Sequence, residues 1–208
     1  MGDGEGYKIN DIFLSVQGEG YHAGRRAVFL RLAGCNALDL GCSCYPHCDT
    51  NTDYSYGMSA QGVARGISDA WKADGYGGNP FIVITGGEPS LQVDYALIKA
   101  LRDEMYSPYI AVETNGSKPL PLAGIQWTTL SPKPPIEPAS DYYSEVKVLY
   151  PLVSPGRYEK YASKRWVLPL AMPDEQATKQ HMRMAFDYCM KNRGWRLTCQ
   201  MHKLMGLS

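Results

Sequence analysis

Residues 81–113 read FIVITGGEPSLQVDYALIKALRDEMYSPYIAVE, and this stretch decides the fold. It opens on an apolar, β-branched run, Phe81-Ile82-Val83-Ile84-Thr85, stopped by Gly86-Gly87. A segment with helical spacing follows over 93–104, and a second apolar run covers 109–113. Runs this short and this apolar fit strands buried on both faces, and strand, helix, strand in that order fits a parallel pair joined by a crossover helix.

Working outward, the same rhythm predicts further strands over 27–32, 127–130, 145–149, 166–170 and 196–200, and helices over 59–73, 155–162 and 176–192. Ser59 is placed to cap the first of these helices, and Gly75 to Gly78 end the region after it. The last helix carries Met182, Ala185, Phe186 and Cys189 on one stripe, which predicts its buried face. The proline-rich stretch 131–141, SPKPPIEPASD, must be loop, and it directly follows a strand, where parallel α/β folds place ligand-binding loops. The pattern predicts an α/β protein with a mostly parallel sheet. Its 208 residues, 44% of them hydrophobic, predict a single domain over 1–208.

Lys plus Arg equals Asp plus Glu at 21 each, so no excess of charge draws the chain to nucleic acid or to an anionic membrane. No apolar run approaches the roughly 20 residues that span a bilayer. The N-terminal residues are polar and glycine-rich rather than basic then apolar. A cytoplasmic enzyme of a small-molecule substrate is the expectation.

Of six cysteines, Cys35, Cys42, Cys44 and Cys48 crowd one loop that follows a predicted strand, while Cys189 and Cys199 lie far off. In a reducing compartment such a cluster points to a metal or redox site. Soft thiolates select zinc or an iron-sulfur cluster, and a cluster held by three cysteines leaves one iron open for another ligand. The loop by itself admits both, zinc by way of the four cysteines or of three with His47.

The motifs along the rest of the chain are Gln17-Gly18-Glu19-Gly20, Arg31-Leu32-Ala33-Gly34-Cys35-Asn36, Cys48-Asp49-Thr50, Thr85-Gly86-Gly87-Glu88-Pro89 and Glu113-Thr114-Asn115-Gly116. They continue with Ser131-Pro132-Lys133, Glu145-Val146-Lys147-Val148 and Gln200-Met201-His202-Lys203. This ordered set resembles the radical S-adenosylmethionine (SAM) enzymes, and within them the 7-carboxy-7-deazaguanine synthases. The resemblance implies an incomplete (β/α) barrel, shorter than the roughly 250 residues of a full eight-stranded one. It implies a 4Fe-4S cluster on the loop 35–48, SAM on the open iron, Mg2+, a one-electron donor such as flavodoxin or ferredoxin, and a homodimer. The implied reaction is the ring contraction of 6-carboxy-5,6,7,8-tetrahydropterin to 7-carboxy-7-deazaguanine with loss of ammonia, in 7-deazapurine (queuosine) biosynthesis. A 5′-deoxyadenosyl radical takes a hydrogen from the substrate and later returns it.

By the same resemblance Cys35, Cys44 and Cys48 are the cluster ligands. The spacing departs from the family pattern, which would put cysteine where Tyr45 stands, so Cys42 competes with Cys44. Gly86, Gly87 and Glu88 match the segment that holds the amino group of SAM; Ser131, Lys133 and His47 join them, lysine suiting the methionyl carboxylate. Gln17, Glu19, Arg31, Glu113, His202 and the terminal Ser208 match the pterin readers. A carboxylate and an amide can read the alternating donors and acceptors of a pterin edge, and an arginine fork suits its carboxylate. Thr50 matches a Mg2+ ligand, with Asp49 behind it holding waters. Two other readings share part of the pattern. A glycyl-radical activating enzyme would need the cluster but not Gln17, Glu19, Arg31 and His202, and a zinc-stabilised binding module would be colourless.

Overall fold

The computed structural model describes residues 6–37, 39–42, 48, 55–75 and 77–206. Among the described residues nine strands form one open sheet in the order β3-β1-β2-β4-β5-β6-β7-β8-β9. The strands are β1 (Tyr7–Val16), β2 (Arg26–Leu32), β3 (Tyr56–Met58), β4 (Phe81–Gly86), β5 (Tyr109–Thr114), β6 (Trp127–Leu130), β7 (Glu145–Tyr150), β8 (Lys164–Pro169) and β9 (Arg196–Leu197). From β2 across to β9 every pair is parallel, as expected. β1 departs from the expectation: it pairs antiparallel with β2 on one side and with β3 on the other.

The helices are α1 (Ala60–Lys72), α2 (Tyr95–Glu104), α3 (Glu175–Lys191) and the single turn α4 (Met201–Leu204). Ser59 caps α1 as expected, its hydroxyl accepting the Gly62 N–H at 3.1 Å. The segment expected to be helical over 155–162 is a 3-10 helix, Pro155–Tyr161. The predicted stripe on α3 is only partly buried. Ala185 is fully inside, whereas Phe186 is 43% exposed and lies under the Arg183 guanidinium.

Strand alternation sorts the residues into two faces. On the helix side, Val28, Leu30 and Leu32 of β2, Ile82 and Ile84 of β4, and Ile110 and Val112 of β5 meet Val63 and Ile67 of α1 and Leu97 and Leu101 of α2. Val146, Val148 and Val167 form a second core that includes Ala185 of α3. The intervening residues point to the opposite face, and at the N-terminal ends of the strands they are aromatic. The His22 ring lies 5.0 Å from Phe81, 5.3 Å from Tyr109 and 4.7 Å from Trp127, centroid to centroid, and so plugs that end. Polar residues fill the same face further along the strands.

His22 titrates far from its ordinary range. Burial, helped by the charge of Arg25, lowers its pKa to about 4. In the unfolded chain the ring titrates near pH 6.5. Between those values only the unfolded chain takes up the proton, so the stability tied to this group is complete above about pH 6.5 and is lost as the pH falls toward about 4. Denaturant titrations across that window should show parental stability falling with acidity, and a His22→Phe variant should lack that component. An identical pH dependence in the variant would rule the ring out as its source.

Candidate active site

The loops that follow β2, β4, β5 and β6 converge at the C-terminal ends of the strands, the end at which α/β folds gather ligands. The closest approach is between the Gly86-Gly87 turn and the start of the cysteine loop. The Gly87 N–H donates to the Leu32 carbonyl at 3.0 Å and the Glu88 N–H to the Gly34 carbonyl at 2.9 Å, extending the β2–β4 pairing past both strands. A side chain cannot fit there. A Cβ on Gly86 would stand 2.1 Å from the Leu32 carbonyl oxygen, and one on Gly87 would stand 2.0 Å from that of Gly34 and 3.1 Å from the Cβ of Cys35. Gly86 also has φ +128°, which residues with a side chain rarely adopt.

Glu88 is fully buried. Its Oε1 accepts the Ser90 N–H at 2.9 Å and the Thr114 hydroxyl at 2.5 Å, and its Oε2 accepts the Asn115 N–H at 2.6 Å. The carboxylate therefore ties the turn after β4 to the turn after β5. That second turn reaches the cysteine loop: Asn115 Nδ2 donates to Asn36 Oδ1 at 3.2 Å, and Asn36 Nδ2 donates to the Ser117 hydroxyl at 3.0 Å. Ser131 is anchored through its N–H to the Thr114 carbonyl at 2.7 Å. Asn36, Asn115 and Ser117 had no assigned role in the sequence reading, although two of them sit inside its motifs.

Neither Cys35 nor Cys48 is in a disulfide. Partial burial pushes the Cys35 thiol up, and Glu88 and Cys48 push the same way. The Ala37 N–H, which donates to its Sγ at 3.4 Å, and the Lys133 ammonium push it down. Two soft donors side by side with a cation near them suit an anionic iron-sulfur cluster. Among the described residues no group of three His, Cys, Asp or Glu side chains is arranged to hold a metal ion. The expected third ligand Cys44, together with His47, Asp49, Thr50 and Ser208, lies outside the described residues, as does the side chain of His202.

Three of the expected substrate readers, Gln17, Glu19 and Glu113, meet in a second polar cluster. Gln17 Nε2 donates to Glu113 Oε1 at 3.0 Å, and Gln17 Oε1 accepts the Glu19 N–H at 3.0 Å. The Lys147 ammonium, 7% exposed, sits between Glu113 Oε2, at 3.3 Å, and Glu19 Oε2, in closer contact still. Burial pulls this ammonium down, and the carboxylates of Glu113 and Glu19 more than offset it, so its pKa lies above the ordinary lysine range. Leaving such a buried charge unpaired would cost about 3–5 kcal/mol. Lys147 stands at the centre of this cluster although the sequence assigned it no role. The signal was present in the strand EVKVLY, where two charged residues alternate with valines and so must share the face away from the helices. Arg31 lies near the end of β2 on that face, with its guanidinium 5.7 Å from the Phe13 ring centre.

The C-terminal segment closes this cluster. Gly20 N–H donates to the Thr198 hydroxyl at 2.9 Å, and the Met201 N–H to the Gly18 carbonyl at 3.2 Å, which brings α4 and the backbone of His202 beside the Gln17–Gly20 loop.

A 7-carboxy-7-deazaguanine synthase from Bradyrhizobium diazoefficiens is 39% identical over 215 residues, covering 97% of this chain and 99% of its own length. One from Bacteroides thetaiotaomicron is 36% identical over 200 residues, covering 96% and 98%. The chain belongs to the 7-carboxy-7-deazaguanine synthase family. The likeness extends to structure: QueE from Escherichia coli superposes on this synthase-family chain with a TM-score of 0.65 and 94% coverage of each, and at 23% identity it speaks for the fold. No protein-family model matches the chain. Among the described residues no helix of this family member is long and apolar enough to cross a membrane.

Proposed function

We propose that this chain, as a single catalytic domain, converts 6-carboxy-5,6,7,8-tetrahydropterin into 7-carboxy-7-deazaguanine with loss of ammonia, as a radical SAM lyase of 7-deazapurine biosynthesis. The observation that carries the reading is Cys35 set against the Gly86-Gly87 turn past the C-terminal ends of the strands, together with a buried Gln17–Glu113–Lys147–Glu19 cluster on the face away from the helices. The chemistry supplied there by a 4Fe-4S cluster with SAM bound would be radical hydrogen abstraction from the substrate. Cys35, Cys48 and Cys44 would hold the cluster.

The chain's own residues bind and orient. Gly86 and Gly87 would offer carbonyl oxygens as acceptors to the SAM amino group, and Glu88 fixes that turn through its own hydrogen bonds. Ser131 and Lys133 stand on the neighbouring loop for the methionyl carboxylate, with His47 as a further contact. Glu19, Glu113 and Gln17 offer acceptors and an amide to the pterin edge, Arg31 a fork for its carboxylate, and His202 and Ser208 complete the enclosure. The aromatic plug around His22 shuts the far end against water, which a reactive intermediate requires. The reading includes Mg2+ on Thr50 with Asp49 behind it, a one-electron donor of the flavodoxin or ferredoxin class, and a homodimer.

The test is anaerobic reconstitution followed by incubation with SAM, reductant, Mg2+ and the carboxytetrahydropterin, with mass analysis. The expected result is the deazaguanine product, with iron lost in Cys44→Ala and kept in Cys42→Ala. Formation of 5′-deoxyadenosine without product would reject this substrate, and a colourless protein holding stoichiometric zinc would reject the cluster.

A further inference from the structure

We propose that Lys147 is the positioning and specificity-determining residue of the substrate site, holding Glu19 and Glu113 as a pre-aligned pair of ionised acceptors for the N–H edge of the heterocyclic substrate. The inference rests on the substrate proposed above and deepens it.

Two carboxylates on different elements, Glu19 after β1 and Glu113 near the end of β5, converge on one ammonium from β7. Both are largely withdrawn from solvent, at 10% and 20% exposure. Two buried carboxylates that close would share a proton rather than both ionise, and the shared proton would turn one acceptor into a donor. A heterocycle edge that presents N–H groups needs acceptors at both positions, so a misplaced proton there sets donor against donor. The single buried cation removes that outcome. Lys147 also fixes direction: it takes Oε2 of Glu113 while Gln17 takes Oε1, so both ends of that carboxylate are pinned.

A third carboxylate supports the arrangement from below. Glu145 adds to the field that keeps Lys147 charged, but its own oxygens are occupied. Oε1 accepts the Thr129 hydroxyl at 2.8 Å and Oε2 the Tyr21 N–H at 2.9 Å. Among the described residues Glu113, Glu19 and Glu145 are the charged groups that raise the pKa of the ammonium. The cluster thus carries more negative than positive charge, which suits an electron-poor donor edge rather than an anionic one, and leaves recognition of the substrate carboxylate to Arg31.

Among the described residues the ammonium's ion-pair partners are the readers Glu19 and Glu113, so its removal should separate substrate binding from SAM cleavage. In Lys147→Met the expected result is parental iron content and parental uncoupled formation of 5′-deoxyadenosine, with KM for the carboxytetrahydropterin raised roughly 10- to 100-fold and kcat changed much less. The pH profile carries the signature of the charge. Parental KM should be flat across the neutral range, whereas that of Lys147→Met should fall as the pH rises and the shared proton leaves. Lys147→Arg, which keeps the charge, should recover the flat profile even where its bulk weakens binding. If Lys147→Met does not fold, Lys147→Met with Glu19→Gln removes one carboxylate along with the cation, and should fold and show the same rise in KM.

Parental KM at every pH in Lys147→Met overturns the inference and leaves the substrate assignment standing. Equal loss of uncoupled SAM cleavage and of turnover also overturns it, because a merely structural role predicts that. Failure of the parental enzyme to produce the deazaguanine overturns the substrate assignment, and this inference with it.

Discussion

Gly87→Ala should give a protein that folds but no longer retains iron. The added methyl would lie 2.0 Å from a backbone oxygen, that of Gly34, which no side-chain rearrangement can relieve. The backbone on one side must move, and the residue attached to that oxygen's peptide is Cys35. A cluster fixes sulfur positions to within a few tenths of an ångström, so a displaced first ligand costs the site. Iron per chain is expected to drop to about a tenth of parental after anaerobic reconstitution, with product formation down at least ~100-fold, as for loss of a group acting in concert with others. The helix-side core does not include Gly87, so the circular dichroism spectrum should stay parental. Parental iron content in Gly87→Ala would mean that the close approach of the two loops has no bearing on the ligands.

Glu88→Ala should have the largest effect on stability. It strands two buried donors, the Asn115 N–H and the Thr114 hydroxyl, and the part-buried Ser90 N–H. Each buried donor left unpaired costs about 1–3 kcal/mol, and the bonds lost are to a charged acceptor. A sum of about 3–5 kcal/mol is expected, which for a chain of this size lowers Tm by roughly 10 °C. Glu88→Gln keeps the shape but turns one acceptor into a donor facing a donor, so it should fall between alanine and the parent. The damage should also travel. Asn115 and Ser117 hold Asn36, next to Cys35, so Glu88→Ala should lose iron more readily than a surface variant of equal Tm. Unchanged melting in Glu88→Ala would show that the three donors find other partners.

The parallel part of the fold was legible because its strands are apolar on both faces, so that Phe81-Ile82-Val83-Ile84 needs no context to be read as buried. β1 was not, for the opposite reason: of YKINDIFLSV only Ile9 is fully buried, and Asn10 and Asp11 interrupt the run at a register shift. β3, three residues at the sheet edge, is too short to leave a periodic signal. In the candidate site, residues whose motifs matched a family were found by type, and Gln17, Glu19 and Glu113 do come together. Their dependence on Lys147 could not be read from spacing, because a contact between residues 34 apart follows from strand order alone. The sequence reading gave Glu88 an acceptor's role toward an ammonium; in the structure its oxygens accept from Ser90, Thr114 and Asn115. Chemistry at that resolution belongs to neighbours far along the chain.

From β4 onward each strand's next neighbour in the sheet is also the next strand in the chain. Growth of that part closes one crossover per step, each between strands successive in the chain. The bond from Gly20 to Thr198 is different, joining residues 178 positions apart. The Gln17–Gly20 loop therefore gains its final support only after nearly the whole chain has left the ribosome. The corner proposed to read the substrate is thus fastened by a contact between segments from the two ends of the described residues.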